Sequence, residues 1–159
     1  MTMFDDNPSP SRAPVACTTS AIPPAERPRW IEVGKQLYAA AIEVGELDNG
    51  YAIRLPGDRD TLMLLAEHVS RDRMCCAFLR WSIRVEPEGG DLWLVMTGTT
   101  AAKALLRMTF ETTDLLPRGV AKRAGFDVLH RESVQLDGVD SIAERVNGEP
   151  QIQRRTSPQ

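Results

Sequence analysis

Two adjacent cysteines, Cys75 and Cys76, are the residues of this chain best equipped for chemistry, and Cys17 is the only other thiol. Thiolates select soft ions. Consecutive Cα atoms lie about 3.8 Å apart, so two neighbouring side chains reach one large, soft ion after a rotamer adjustment. A trigonal thiolate site needs a third sulfur, and Cys17 is the candidate. The expected ligand set is Cys75, Cys76 and Cys17, with Asp72 and His68 behind it as hydrogen-bonding or proton-accepting groups. Mercury(II), arsenic(III) or a similar thiophilic ion suits such a set. Zinc suits it less, because it takes a fourth ligand and His68 would have to swing in.

The same residues carry two further readings. One is thiol redox chemistry, with the thiolate form of Cys75 favoured by His68. A helix C-terminus disfavours a thiolate, and a disulfide between neighbouring cysteines is strained, so the resolving thiol would be Cys17. The other is packing: cysteine behaves as a small hydrophobe in cores, which would leave a structural or interaction module. The chain has no Cys-x-x-Cys, nucleophile elbow, phosphate loop or paired-carboxylate motif. A binding protein is therefore expected in preference to an enzyme.

The cysteine pair is positioned by one stretch, Asp58 to Leu79, DRDTLMLLAEHVSRDRMCCAFL. It reads as a single amphipathic helix. Pro56-Gly57 breaks the preceding element, and Asp58 is an N-cap residue. At about 100° per residue, Leu62, Leu65, Ala66, Val69 and Cys76 share an apolar face. His68, Asp72 and Cys75 form a stripe along its border. This puts Cys76 on the core side and Cys75 at the rim.

Other elements follow from the pattern. Residues 1–23 are rich in Pro, Ser and Asp/Asn and read as a disordered or extended arm. A first helix is expected over about 24–41, with Trp30, Val33, Leu37, Tyr38 and Ala41 at helical spacing and Gly34 weakening its middle. Ile42–Leu47 and Tyr51–Leu55 read as a hairpin, because Asn49-Gly50 suits a turn with positive φ at both central residues. Trp81, Ile83 and Val85 alternate with polar residues, and Asp91–Thr97 is a more apolar strand. Thr99 or Thr100 then caps a helix that runs to about Phe110. Two ββα units in succession, preceded by a helix, predict an α+β two-layer sandwich: a four-stranded antiparallel sheet with helices on one face. The inner faces would be Tyr51/Ile53/Leu55, Trp81/Ile83/Val85 and Leu92/Leu94/Met96. The expected domain spans 24–112. Residues 113–159 read as an extension that is largely tail, with one short helix in LLPRGVAKRAGF and an incidental His130.

Composition narrows the function classes. The chain has 159 residues, 42% hydrophobic content and a net charge of -3. One domain with a real core is expected. An acidic balance argues against nucleic-acid binding, and no apolar run is long enough to span a membrane. The N-terminus lacks the basic and apolar regions of a signal peptide, so a cytoplasmic protein with reduced thiols is expected. The partner is then the metal ion itself, with a homo-oligomer as an option.

The residues also carry a resemblance. Cys17 in ACT, then GYAIRLP, RDRMCCAFLRWSIRVEP and DLWLVMTG, together resemble a family of small bacterial proteins of unknown function. The centre of that family reads Glu-Arg-x-Cys-Cys-Pro-Phe-Leu-x-Phe. A similar module is fused behind MerR-type DNA-binding regions of heavy-metal-responsive regulators. The match runs from about Cys17 to Phe110 and is most specific at Cys75-Cys76-x-Phe78-Leu79. Asp72 stands for the family's glutamate, Ala77 for its proline and Trp81 for its second aromatic. The resemblance implies metal-linked function for the two thiols. It does not imply DNA binding, because no helix-turn-helix is present.

Overall fold

Two of the helices start where a side chain supplies a hydrogen bond that the first turn lacks. Asp58 Oδ1 accepts from Thr61 N at 2.9 Å, and Oδ2 accepts from Thr61 Oγ1 at 2.7 Å. Thr99 Oγ1 accepts from Ala102 N at 3.2 Å. The computed structural model describes residues 11–127. Its elements are α1 (Arg27–Ala39), β1 (Glu43–Leu47), β2 (Gly50–Leu55), α2 (Arg59–Cys75), β3 (Arg80–Val85), β4 (Leu92–Thr97), α3 (Thr100–Thr112) and α4 (Arg118–Arg123). Short 3-10 turns at Thr19–Ala21 and Pro24–Glu26 lead into α1. The expected first turn from Pro24 is thus 3-10 rather than α.

The fold is α+β. A four-stranded sheet has the order β1-β2-β4-β3, and every neighbouring pair is antiparallel. Alternation sets its inner face. Val44, Tyr51, Ile53, Leu55, Leu92, Leu94 and Met96 are all buried, and Leu37, Leu65, Leu106 and Phe110 of the helices join them in one core. The third expected inner-face triad is different. Trp81 is half-buried, but Ile83 is 37% and Val85 57% exposed. Their register opposite Leu94 and Leu92 is as the alternation requires. However, β3 is an edge strand, and its far end carries Ile83 and Val85 into solvent.

The first hairpin also corrects an expectation. Leu47 pairs with Gly50, so the loop is Asp48-Asn49, and neither residue has positive φ. Gly50 is required for a different reason. A Cβ there would stand 1.9 Å from the Met96 carbonyl oxygen of the adjoining strand.

A second correction concerns the segment after α3. Leu116, Val120, Ala121 and Phe126 are buried in the core cluster, and Phe126 stacks on Phe110 with ring centroids 5.5 Å apart. Residues 113–127 therefore belong to the fold. The aromatic ring and short apolar side chains that do this are dispersed among basic residues, which hid them from a periodicity argument. His130 and the rest of the expected tail lie outside the described residues.

Candidate functional site

Helix α2 turns a polar stripe inward. Thr61, Leu65, His68, Asp72 and Cys75 are its buried residues. Their spacing of four and three residues keeps them on one face. The face proposed from the sequence is therefore rotated. Leu62, Val69 and Cys76 are only half-buried, Ala66 is exposed, and Cys75, expected at the rim, is 3% exposed. The wheel went wrong because polar groups were assumed to avoid the interior, whereas here α1 supplies partners for them.

Those partners form a buried chain of polar contacts. Trp30 Nε1 donates to Asp72 Oδ1 at 2.7 Å. The other carboxylate oxygen, Oδ2, lies 2.8 Å from His68 Nε2. Tyr38 Oη stands 3.0 Å from the same His68 nitrogen. Burial of Tyr38, with the Asp72 carboxylate nearby, pushes its hydroxyl well above the ordinary phenol range. The His68 ring meets Trp81 edge-on, with centroids 5.9 Å apart. Trp30 and Tyr38 appear in the sequence as apolar positions of a helical stripe. Their polar atoms gave no signal until α1 was placed against α2.

The helix stops at Cys75 although the sequence has Ala77 and no proline. Cys76 leaves helical geometry, with φ -107 and ψ 60. The N-terminal arm then supplies a backbone cap: Thr18 N donates to Cys75 O at 2.9 Å. This satisfies one of the carbonyls that a helix end leaves open. Ile22, 1% exposed, anchors the same segment, and Arg27 Nε donates to its carbonyl oxygen at 3.0 Å. Residues 11–23, expected as disordered or extended, are in this way docked on the end of α2.

Docking carries Cys17 to the pair. Cys17 Sγ is 3.3 Å from Cys76 Sγ, and the Sγ atoms of Cys17, Cys75 and Cys76 all lie within 4.8 Å of one another. With a metal–sulfur bond of about 2.3 Å, ligand sulfurs stand about 3.8–4.0 Å apart, so modest side-chain rotation brings all three to one centre. Asp72 lies beside the thiols, and His68 sits behind it, held by Asp72 and Tyr38. Both contacts are made by Nε2. Nδ1, buried without a hydrogen-bond partner among the described residues, lies toward Gly34, so the ring would have to turn to become a fourth ligand. The donor set fits a soft trigonal ion better than tetrahedral zinc.

The surroundings of Cys75 and Cys76 favour their protonated form. Burial pushes Cys75 upward, and the neighbouring Cys17 and Asp72 add to the effect. Cys76 is raised much further, first by burial, then by its hydrogen bond and charge interaction with Cys17. Neither is an activated nucleophile.

A cavity of about 190 Å³ adjoins the three sulfurs. Trp30, Phe78, Trp81, Met96, Leu105 and Phe110 form much of its wall. Trp93 lies on the opposite face of β4, in register with Arg54, and takes no part in this wall. Among the described residues no helix is long and apolar enough to cross a membrane. No family model matches the chain, and neither the curated proteins nor the solved structures yield a match.

Proposed function

We propose that this protein binds a thiophilic metal or metalloid ion through Cys17, Cys75 and Cys76, without catalysing a reaction. One observation carries the reading. All three cysteines of the chain, drawn from positions as far as 59 residues apart, converge with their sulfurs within 4.8 Å. Packing alone gives no reason for an exposed arm cysteine to meet a pair that is buried at Cys75 and half-buried at Cys76. The resemblance of Cys75-Cys76-x-Phe78-Leu79 to a module of heavy-metal-responsive regulators supports the same reading by analogy. Three thiols that group without a fourth donor among the described residues favour arsenic(III) or mercury(II) over zinc. A cytoplasmic setting, where thiols stay reduced, belongs to the proposal.

The test is native mass spectrometry of the reduced full chain titrated with arsenite, mercury(II) and zinc against excess small-molecule thiol. Wild type is expected to retain one equivalent of arsenite, and Cys17→Ser to lose it. Complete loss of every ion to the competing thiol would overturn the proposal.

The 3.3 Å approach of Cys17 and Cys76 favours a second reading, a reversible disulfide. A small-molecule disulfide would take two electrons and two protons from the pair and leave as two thiols. Peptide mapping after exposure to oxidised glutathione tests it. Mixed disulfides alone, with no Cys17–Cys76 bond, would rule it out.

A further inference from the structure

The apolar cavity opens beside the sulfurs, and a bare ion has no use for it. We infer that the site takes a trivalent arsenic centre carrying an aryl substituent, held by Cys17 and Cys76 with the ring in the cavity. The inference rests on the thiol-site reading above and names the ligand class of that same site.

Geometry assigns the two thiolates. At a bond of about 2.3 Å, sulfurs 3.3 Å apart subtend about 90° at a shared centre. That suits a pyramidal trivalent atom bearing a lone pair. Burial assigns the third position. Cys17 is exposed, Cys76 half-buried and Cys75 buried. The inward side of a centre held by the outer two sulfurs therefore faces Cys75 and the cavity. Inorganic arsenite fills that position with the Cys75 sulfur, whereas an aryl arsenical fills it with carbon. The balances differ accordingly. Arsenous acid and three thiols give a tris-thiolate and three waters. An aryl arsenic oxide and two thiols give a bis-thiolate and one water. Arsenic stays trivalent in both, and the aryl–arsenic bond is kept.

The cavity is large enough. An apolar cavity of about 150 Å³ accepts benzene, and this one measures about 190 Å³. Trp30, Phe78, Trp81, Met96, Leu105 and Phe110 line it, offering aromatic rings, a thioether and aliphatic carbon to a phenyl group. Cys17 and Thr19 are the exposed members of the lining, so the cavity meets solvent beside the arm.

The experiment uses the reduced full chain and three probes: arsenite, methylarsenous acid and phenylarsine oxide, each competed with dithiothreitol and read by native mass spectrometry. The methyl and phenyl compounds both take two thiols, so their ratio isolates the ring. Wild type is expected to prefer phenyl over methyl by about tenfold or more relative to dithiothreitol, the factor that burial of a phenyl ring supplies. Cys75→Ala is expected to lose arsenite but keep phenylarsine oxide. Leu105→Trp, which fills the cavity, is expected to abolish the phenyl preference while methylarsenous acid still binds. If that variant fails to fold, the wild-type ratio and Cys75→Ala still decide. A phenyl-to-methyl ratio equal to that of dithiothreitol, with arsenite still retained, would overturn this inference and leave the thiol site standing. Loss of phenylarsine oxide in Cys75→Ala would also overturn it. Failure of wild type to retain any of the three would remove both.

Discussion

Replacing Asp72 should expose how a polar stripe can face the interior of this fold. Its carboxylate receives Trp30 Nε1 at 2.7 Å and stands 2.8 Å from His68 Nε2, tying α1 to the last turn of α2. Asp72→Ala leaves both nitrogens without that partner. A hydrogen bond to a charged group contributes about 1.5–3 kcal/mol, and a buried unpaired donor costs about 1–3 kcal/mol. Trp30 is half-buried and regains some water, and His68 keeps Tyr38. The expected loss is therefore about 3 kcal/mol, a large part of the roughly 5–15 kcal/mol that holds a domain together. For a domain of this size it corresponds to a Tm lower by roughly 10–15 °C. Asp72→Asn, which retains one acceptor, should lose about half as much. Urea titrations of Asp72→Asn, Trp30→Phe and the double variant should give a coupling of about 1–2 kcal/mol. The thiols should respond in the opposite sense. The Asp72 charge helps to raise both Cys75 and Cys76, so its removal should bring their titration, followed by thiolate ultraviolet absorbance, to lower pH. An Asp72→Ala protein within about 0.5 kcal/mol of wild type would refute the account of the stripe. A vanishing coupling would refute the Trp30 contact in particular.

Three other outcomes are expected. Gly34→Ala should stabilise the protein by about 0.5–1 kcal/mol in urea titration, because alanine suits a helix interior better than glycine and its Cβ would meet the His68 ring at an ordinary 3.9 Å. Gly50→Ala should destabilise by more than about 3 kcal/mol or leave the chain unfolded by circular dichroism, since the Cβ would collide with backbone at 1.9 Å. Glu67, hydrogen-bonded to Arg29 and Arg71, is held down from an ordinary 4.5 to about 2. A depressed carboxyl stabilises the fold above its unfolded value, and that stability is lost as pH falls toward the folded one. The stability difference between wild type and Glu67→Gln should accordingly be constant above pH of about 5, on the order of 1 kcal/mol for a solvent-screened pair, and vanish between about 4.5 and about 2.

The secondary structure was legible because period and capping residues agreed. Asp58 and Thr99 announced their helices, and Tyr51/Ile53/Leu55 and Leu92/Leu94/Met96 announced the inner face of the sheet. What failed required knowledge of neighbours. A hydrophobicity wheel ranks His68 and Asp72 as border residues. It cannot know that Tyr38 and Trp30 reach them from α1. Alternation puts Ile83 and Val85 on the correct face but does not reveal that β3 is at the edge. Asn49-Gly50 is a good turn pair, yet Gly50 is set by contact with Met96 in a strand more than forty residues away. The three cysteines could be nominated from soft-ion chemistry alone. Their convergence could not, since it depends on a tertiary cap from Thr18 to Cys75. Leu116, Val120 and Phe126 were missed for want of periodicity.

That cap makes the third sulfur unlike the other two. Cys75 and Cys76 lie at the end of a helix, whereas Cys17 rides on a strap fastened at Thr18 and Ile22. While the strap is down, the tether makes the meeting of Cys17 with the pair an intramolecular event at a raised effective concentration. When it lifts, as a largely exposed segment does more readily than a core helix, the centre is left with two sulfurs. Anything bound across all three can therefore leave in stages. Its residence time would follow the lifting of the strap, while its affinity would follow the chemistry of the bonds, so the two properties can be altered independently by substitutions at different positions.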